Sequence, residues 1–150
     1  MGDYVREIRK LIGHLPLQYC TATVAVLDGN RMLLQKRTDT GEWGLHGGSV
    51  ELGEHPEQTA RRELLEETGL LAGPLEAVAV FAGEEHHYVY PNGDEVYVID
   101  HLYLCRDFSG ELRPEAAEVA ELRWFPLDSL PDRIFPLDRP LIAALLERRN

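Results

Sequence analysis

Only two cysteines, Cys20 and Cys105, occur in 150 residues, far apart and in no CxxC or other metal-ligand spacing. That excludes a disulfide framework and a thiolate zinc module, and leaves two reduced, buried thiols in a cytoplasmic protein as the expectation. Positive charge is scarce as well: 15 Lys and Arg stand against 26 Asp and Glu, a formal net charge of −11. So acidic a surface repels phosphate backbones and anionic lipid, so long nucleic acid and membranes are not expected partners. A small anionic ligand still fits if a cation bridges the charges. No apolar run approaches the ~18 residues of a membrane span. The N-terminus MGDYVREIRK has no signal-peptide core, and Arg6 stands where a myristoylation signal needs Ser or Thr. Repeats, low-complexity tracts and linkers are missing, which suits one domain over residues 1–150, long enough to bury a core unaided.

What is present is patterned. Residues 4–12 place Tyr4, Ile8, Leu11 and Ile12 at helical spacing. Strands are expected at 20–27 and 31–37 around an Asp28-Gly29-Asn30 turn, with a glycine-rich loop over 38–48. A helix is expected from Pro56 to Thr68. Strands at about 75–90 and 95–106 flank Pro91-Asn92-Gly93-Asp94, a hairpin signal. The second of them alternates in places, as near a sheet edge or groove. A short strand over 122–127 and a helix over 139–149, with Pro140 in its first turn, complete the chain. This order gives an α/β fold, a mixed sheet covered by helices on its faces.

The stretch GGSVELGEHPEQTARRELLEETGL, residues 47–70, holds six glutamates, three of them at Glu63, Glu66 and Glu67. On the expected helix, Ala60, Leu64 and Leu65 form the core-facing stripe, and Glu63 and Glu67 are an i,i+4 pair beside it. Like charges at this spacing cost about 0.2–0.5 kcal/mol each. The helix dipole adds to the conflict, because Glu66 and Glu67 sit at the C-terminal end. A solvated face tolerates such penalties; a pair bordering the packed stripe cannot spread into water. A hard divalent cation removes the conflict, since Mg²⁺ takes oxygen ligands at about 2.0–2.1 Å and keeps waters alongside one or two carboxylates. Arg62 is placed to hold Glu66, Glu54 lies at the loop-to-helix junction, and a carbonyl at Gly47 or Gly48 adds a neutral oxygen ligand.

Gly48, then Glu54, then Arg62-Glu63-Leu64-x-Glu66-Glu67-x-Gly69-Leu70 resembles a complete Nudix box. The element order resembles the Nudix α/β/α sandwich across nearly the whole chain. The resemblance implies Mg²⁺-dependent, or Mn²⁺-dependent, hydrolysis of a phosphoanhydride in a nucleoside diphosphate linked to another group. It implies Glu63 and Glu67 as metal ligands, Glu66 as a ligand or their partner, Arg62 as its orienting group, and Glu54 and the Gly47 carbonyl as further contacts. His46, in WGLHGG, stands where the common form has proline, which puts the loop's path in question: either a tolerated loop residue replaces the proline, or a titratable side chain faces a phosphate. The general base is open between Glu118, a group inside the box, and Glu115 or Glu121. Arg37 and Lys36 at a strand end, Trp43, and Tyr88 in the cluster His86-His87-Tyr88-Tyr90 are the candidate substrate contacts. Tyr88 resembles the tyrosine of dinucleoside-polyphosphate members, while His86 replaces a proline that would mark ADP-ribose. The expected partners are a small nucleotide and, at most, a second copy of the chain. The alternative in another class is a catalytically silent nucleotide-sensing module on the same fold.

Overall fold

A computed structural model describes residues 2–148. In chain order it has α1 (Asp3–Ile12), β1 (Leu17–Asp28), β2 (Arg31–Arg37), β3 (Trp43–Gly44), β4 (His46–Ser49), α2 (Pro56–Thr68) and β5 (Leu70–Ala72). Then follow β6 (Leu75–Phe81), a 3₁₀ turn (Glu84–His86), β7 (His87–Val89), β8 (Glu95–Cys105), β9 (Phe108–Gly110), β10 (Val119–Pro126), a second 3₁₀ turn (Pro136–Asp138) and α3 (Arg139–Arg148). Residue 149, included in the expected last helix, lies outside the described residues.

The main sheet runs β10-β2-β1-β8-β6. β1 and β8 are parallel along their length, from Leu17↔Val96 to Val26↔Cys105, and the other pairings are antiparallel. β1 is the hub because it is apolar on both faces. Ala22, Val24 and Val26 pack with Ala60 and Leu64 of α2, while Ala25 and Leu27 face Leu141, Ile142 and Leu145 of α3. The sheet therefore has a helix on each face, the α/β arrangement the element order implies. Among the described residues no helix is long and apolar enough to cross a membrane.

One irregularity creates the site. β2 pairs with β1 only at Leu27↔Met32 and Asp28↔Arg31, then diverges. Into the opened wedge comes β4, paired with β1 from Thr21↔Ser49 to Val24↔His46. The expected loop over 38–48 thus contains β3 and most of β4, which periodicity could not reveal in segments of two and four residues. Other expectations are corrected as well. β8 is interior to the sheet, between β1 and β6, so of the edge or groove its alternation suggested only the groove holds, at Val96. The expected 75–90 strand breaks into β6, the 3₁₀ turn and β7. Leu65 and Leu11 are exposed, so α1 buries Val5 and α2 buries Thr59, Ala60, Glu63, Leu64, Glu67 and Thr68. Cys105 is buried as expected, but Cys20 is exposed; both are free thiols.

Candidate active site

The acidic helix α2 is fixed at both ends by local chemistry. Pro56 occupies the first turn; the Glu57 N–H donates to His55 Nδ1, and the His55 N–H donates to Gln58 Oε1, a reciprocal cap. Gly69, with φ of 82°, ends the helix in the left-handed region. Between these ends, Thr59, Glu63 and Glu67 form an i,i+4,i+8 row that faces the wedge and β4. Contact there is close enough to require glycine: a Cβ on Gly48 would lie 2.5 Å from Glu63 Oε1, and one on Gly47 would lie 2.2 Å from the Ala22 carbonyl oxygen. The two glycines leave the cradle in which the carboxylates sit.

Burial sets the electrostatics of this row. Glu63, 9% exposed, has its pKa pushed up to about 7, by desolvation first and then by the nearby charges of Glu66 and Glu118, against the pull of Arg62. Desolvation and the neighbouring Glu63 raise Glu67 well above the usual carboxylate range, although the Gly47 N–H donates to Glu67 Oε1 at 2.9 Å and Gln35 Nε2 donates to Oε2 at 3.3 Å. Glu54 goes the other way. Arg62 Nε lies 2.8 Å from its Oε2, and that pairing holds it down at about 2. The same guanidinium contacts Glu63 Oε1 at 2.8 Å and Glu66 Oε2 at 3.4 Å. Arg62 therefore orients three carboxylates rather than Glu66 alone.

Two cavities meet over this cradle. The smaller, about 310 Å³, has Arg62, Glu63, Glu66 and Glu51 in its wall. The larger, about 390 Å³, runs away from α2 past Arg37, Tyr19, Tyr90 and Asp94 toward α1. They share Gly47, Gly48, Ser49 and Glu118, so Glu118 stands where they join. Glu115 and Glu121 are elsewhere: the Glu115 carboxylate accepts the Ala117 and Glu118 N–H groups of its own turn, and Glu121 pairs with Arg123 on β10.

The candidate substrate contacts divide. Arg37 lines the larger cavity, where Asp39 grips it at 3.0 and 2.9 Å and its guanidinium lies 4.0 Å from the Phe135 ring centre. Burial opposes the Arg37 charge, but Asp39 more than offsets this and raises its pKa. Lys36, one residue away on a strand, faces away from this cavity. Trp43 and His46 stand apart from both cavities. Trp43 is buried edge-on against Phe125 in the core, and His46 is fully buried between diverging strands; neither lines the two cavities described. Burial pushes His46 down to about 4, and its ring contacts Gln35 and Leu33 rather than a phosphate position. Tyr88 packs on Tyr90 and Phe135, and of the 86–90 cluster it is Tyr90 that lines the larger cavity. Cavity residues that sequence reasoning missed include Arg9, Gln35, Tyr19 and Asp94. Only Gln35 carried a signal, being a polar residue in an apolar strand, MLLQKR, two positions from Arg37.

The donor set fits a hard divalent cation in kind: carboxylate and carbonyl oxygens only, with two buried carboxylates lacking a full counter-charge. Among the described residues no three acidic, His or Cys side chains stand close enough together to hold an ion as placed, and Arg62 stands among Glu54, Glu63 and Glu66 instead. An ion would thus have to draw Glu63 or Glu66 partly away from the guanidinium.

Comparison with known proteins gives a consistent picture. The NUDIX domain family model matches residues 18–145. The chain is similar to the MutT4 protein of Mycobacterium tuberculosis, 39% identical over 105 residues, which are 70% of this chain and 41% of that one; it spans about two fifths of that relative. It is 31% identical over 149 residues to an RNA pyrophosphohydrolase of Novosphingobium aromaticivorans, with 89% of this chain and 92% of that one covered. The crystal structure of a MutT NUDIX hydrolase from Burkholderia pseudomallei superposes with a TM-score of 0.73 at 28% identity, over 86% of this chain and 98% of that one.

Proposed function

Because the chain belongs to the Nudix family of hydrolases, we propose that it is a Mg²⁺-dependent pyrophosphohydrolase of small nucleotides. Its substrate is a nucleoside triphosphate or another nucleoside diphosphate derivative. The observation that carries this reading is the seam between the two cavities. There, the buried Glu63 and Glu67 carboxylates, the Gly47–Gly48 backbone and Glu118 come together. One cavity is walled by carboxylates suited to a cation, the other by aromatic rings and paired arginines suited to a nucleoside, and a diphosphate has the length to cross from one to the other.

Glu63 and Glu67, with Glu66 and the Gly47 carbonyl at hand, would hold a divalent cation, which would supply charge neutralisation for the diphosphate and activation of the attacking water. The chain supplies the rest. Arg62 holds Glu54 and Glu66 in place. The larger cavity, with Tyr90 and Tyr19 on its wall, orients the nucleoside so that the anhydride lies over Gly48. Glu118 accepts the proton as the water oxygen bonds to phosphorus, and the bridging P–O bond breaks to release the second phosphate-bearing product. The similarity to an RNA pyrophosphohydrolase supports the reaction class, while the acidic surface favours a free nucleotide over a long RNA.

The test is release of phosphate or pyrophosphate from a panel of nucleoside triphosphates, oxidised nucleotides, nucleotide sugars and dinucleoside polyphosphates, with and without EDTA. EDTA should abolish turnover, and Glu118→Gln should lower kcat by roughly 10²–10⁴-fold with Mn²⁺ uptake preserved. Nucleotide binding without turnover on any member of the panel would indicate a sensing module instead.

A further inference from the structure

His46 occupies the position of a common family proline, yet its side chain is fully buried, with a polar atom of β2 close to each ring nitrogen. The neutral ring has one N–H; in the tautomer protonated at Nδ1 it donates to Gln35 Oε1 at 2.6 Å, and the bare Nε2 lies beside the Leu33 carbonyl oxygen at 3.2 Å without a hydrogen bond. The backbone of His46 is itself held by pairing with Val24 of β1. The ring therefore fills the wedge where β2 leaves β1 and bridges a segment of β2 that β1 no longer pairs.

Gln35 passes this order on. It is 4% exposed, and with its Oε1 tied to His46 its amide cannot rotate freely; its Nε2 is aimed at Glu67 Oε2, 3.3 Å away. The other oxygen of Glu67 takes the Gly47 N–H. Each carboxylate oxygen thus spends one lone pair on the protein and keeps another for a ligand in the cavity. A proline at 46 has no donor with which to fix Gln35, and would leave one side of Glu67 to an untethered amide.

We propose that His46 and Gln35 are a positioning pair that holds the Glu67 carboxylate in its ion-binding orientation. This rests on the functional reading above, in which Glu67 is a metal ligand. Outer groups that orient a ligand typically govern metal affinity by 10–100-fold.

Calorimetric titration of Mn²⁺ into nucleotide-free protein tests it, with circular dichroism to confirm folding of each variant. His46→Ala and Gln35→Met should each weaken Mn²⁺ binding by at least about tenfold. The double variant should be no weaker than the worse single one, because the two residues act in series. His46→Asn, whose amide N–H can stand in for Nδ1–H, should recover most of the affinity. His46→Ala should lower kcat while KM for the nucleotide stays within about twofold, since His46 lines no part of the nucleoside cavity. Should His46→Ala fail to fold, Gln35→Met, which leaves the ring's contact with Leu33 in place, decides the matter. Wild-type affinity in a folded variant, or losses that multiply in the double variant, would overturn the positioning pair alone. Failure of the wild-type protein to take up Mn²⁺ would bring down the functional reading and this inference together.

Discussion

Four carboxylates, Glu63, Glu67, Asp100 and Asp138, are buried with raised pKa values, and they separate what burial does from what function asks of it. Glu63 and Glu67 face a cavity where a cation can relieve them; Asp138 lines neither cavity. Its pKa is pushed up to about 7, by desolvation and by the Asp100 carboxylate, although Asp138 Oδ2 accepts the Leu45 N–H at 2.9 Å and Arg37 pulls the other way. In the unfolded chain the group titrates near its ordinary 3.8. Between these values the folded protein holds a proton that the unfolded chain releases, so this contribution to stability falls as pH rises from about 4 to about 7 and is flat above. The loss is on the order of 4 kcal/mol at most. Asp138→Asn keeps an acceptor for Leu45 but has nothing to ionise. The wild-type melting temperature, measured in EDTA, should therefore drop relative to that of the variant across this window. Parallel melting curves from pH 4 to pH 8 would show that Asp138 ionises without cost.

At the scale of elements, α2 carries its own acids and also anchors the segment bearing Glu118. Its last carbonyls accept from beyond the helix: the Arg113 N–H donates to Thr68 O at 2.8 Å and the Glu115 N–H to Glu67 O at 3.3 Å. Gly69 makes this exit possible, since a Cβ there would combine a φ of 82° with a separation of 2.5 Å from the Glu111 carbonyl oxygen. Gly69→Ala should destabilise the protein by about 1–3 kcal/mol. At roughly 2–4 °C per kcal/mol, calorimetry resolves that easily, and kcat should fall with it as Glu118 shifts. An unchanged melting temperature would mean the 111–118 segment yields without strain. The helix itself was legible in the sequence because Pro56, Gly69 and the spaced glutamates are local signals. The wedge was not, because the divergence of β2 from β1 depends on which strand β4 joins, and four residues, HGGS, carry no period that announces a strand. For the same reason the sequence leaves Trp43 and His46 open between a ligand contact and packing, and strand pairing buries both. Gln35 and Arg37 reach the cavity through strand parity, which could be read only once the register was known.

Over the whole molecule, the cations near the cavities are already spoken for. Arg9 lies 3.8 Å from Asp94, Arg37 is paired with Asp39, and Arg62 is shared among three glutamates. A net charge of −11 is therefore not offset by a positive funnel built from these side chains. A nucleotide that remains anionic after taking up Mg²⁺ approaches against a repulsive field, which reaches about 30 Å at 0.01 M salt and about 8 Å at 0.15 M. Screening then speeds association instead of slowing it. At saturating Mg²⁺, kcat/KM for a nucleoside triphosphate should rise as KCl is increased from roughly 0.01 to 0.15 M, the reverse of what a basic binding cleft would give. Most of the change should lie in KM, because the short-range contacts at the buried Glu63 and Glu67 are little affected by salt. A kcat/KM that declines over this range would mean that Arg9, Arg37 and Arg62 keep enough positive field at the cleft mouth to attract the substrate despite their partners.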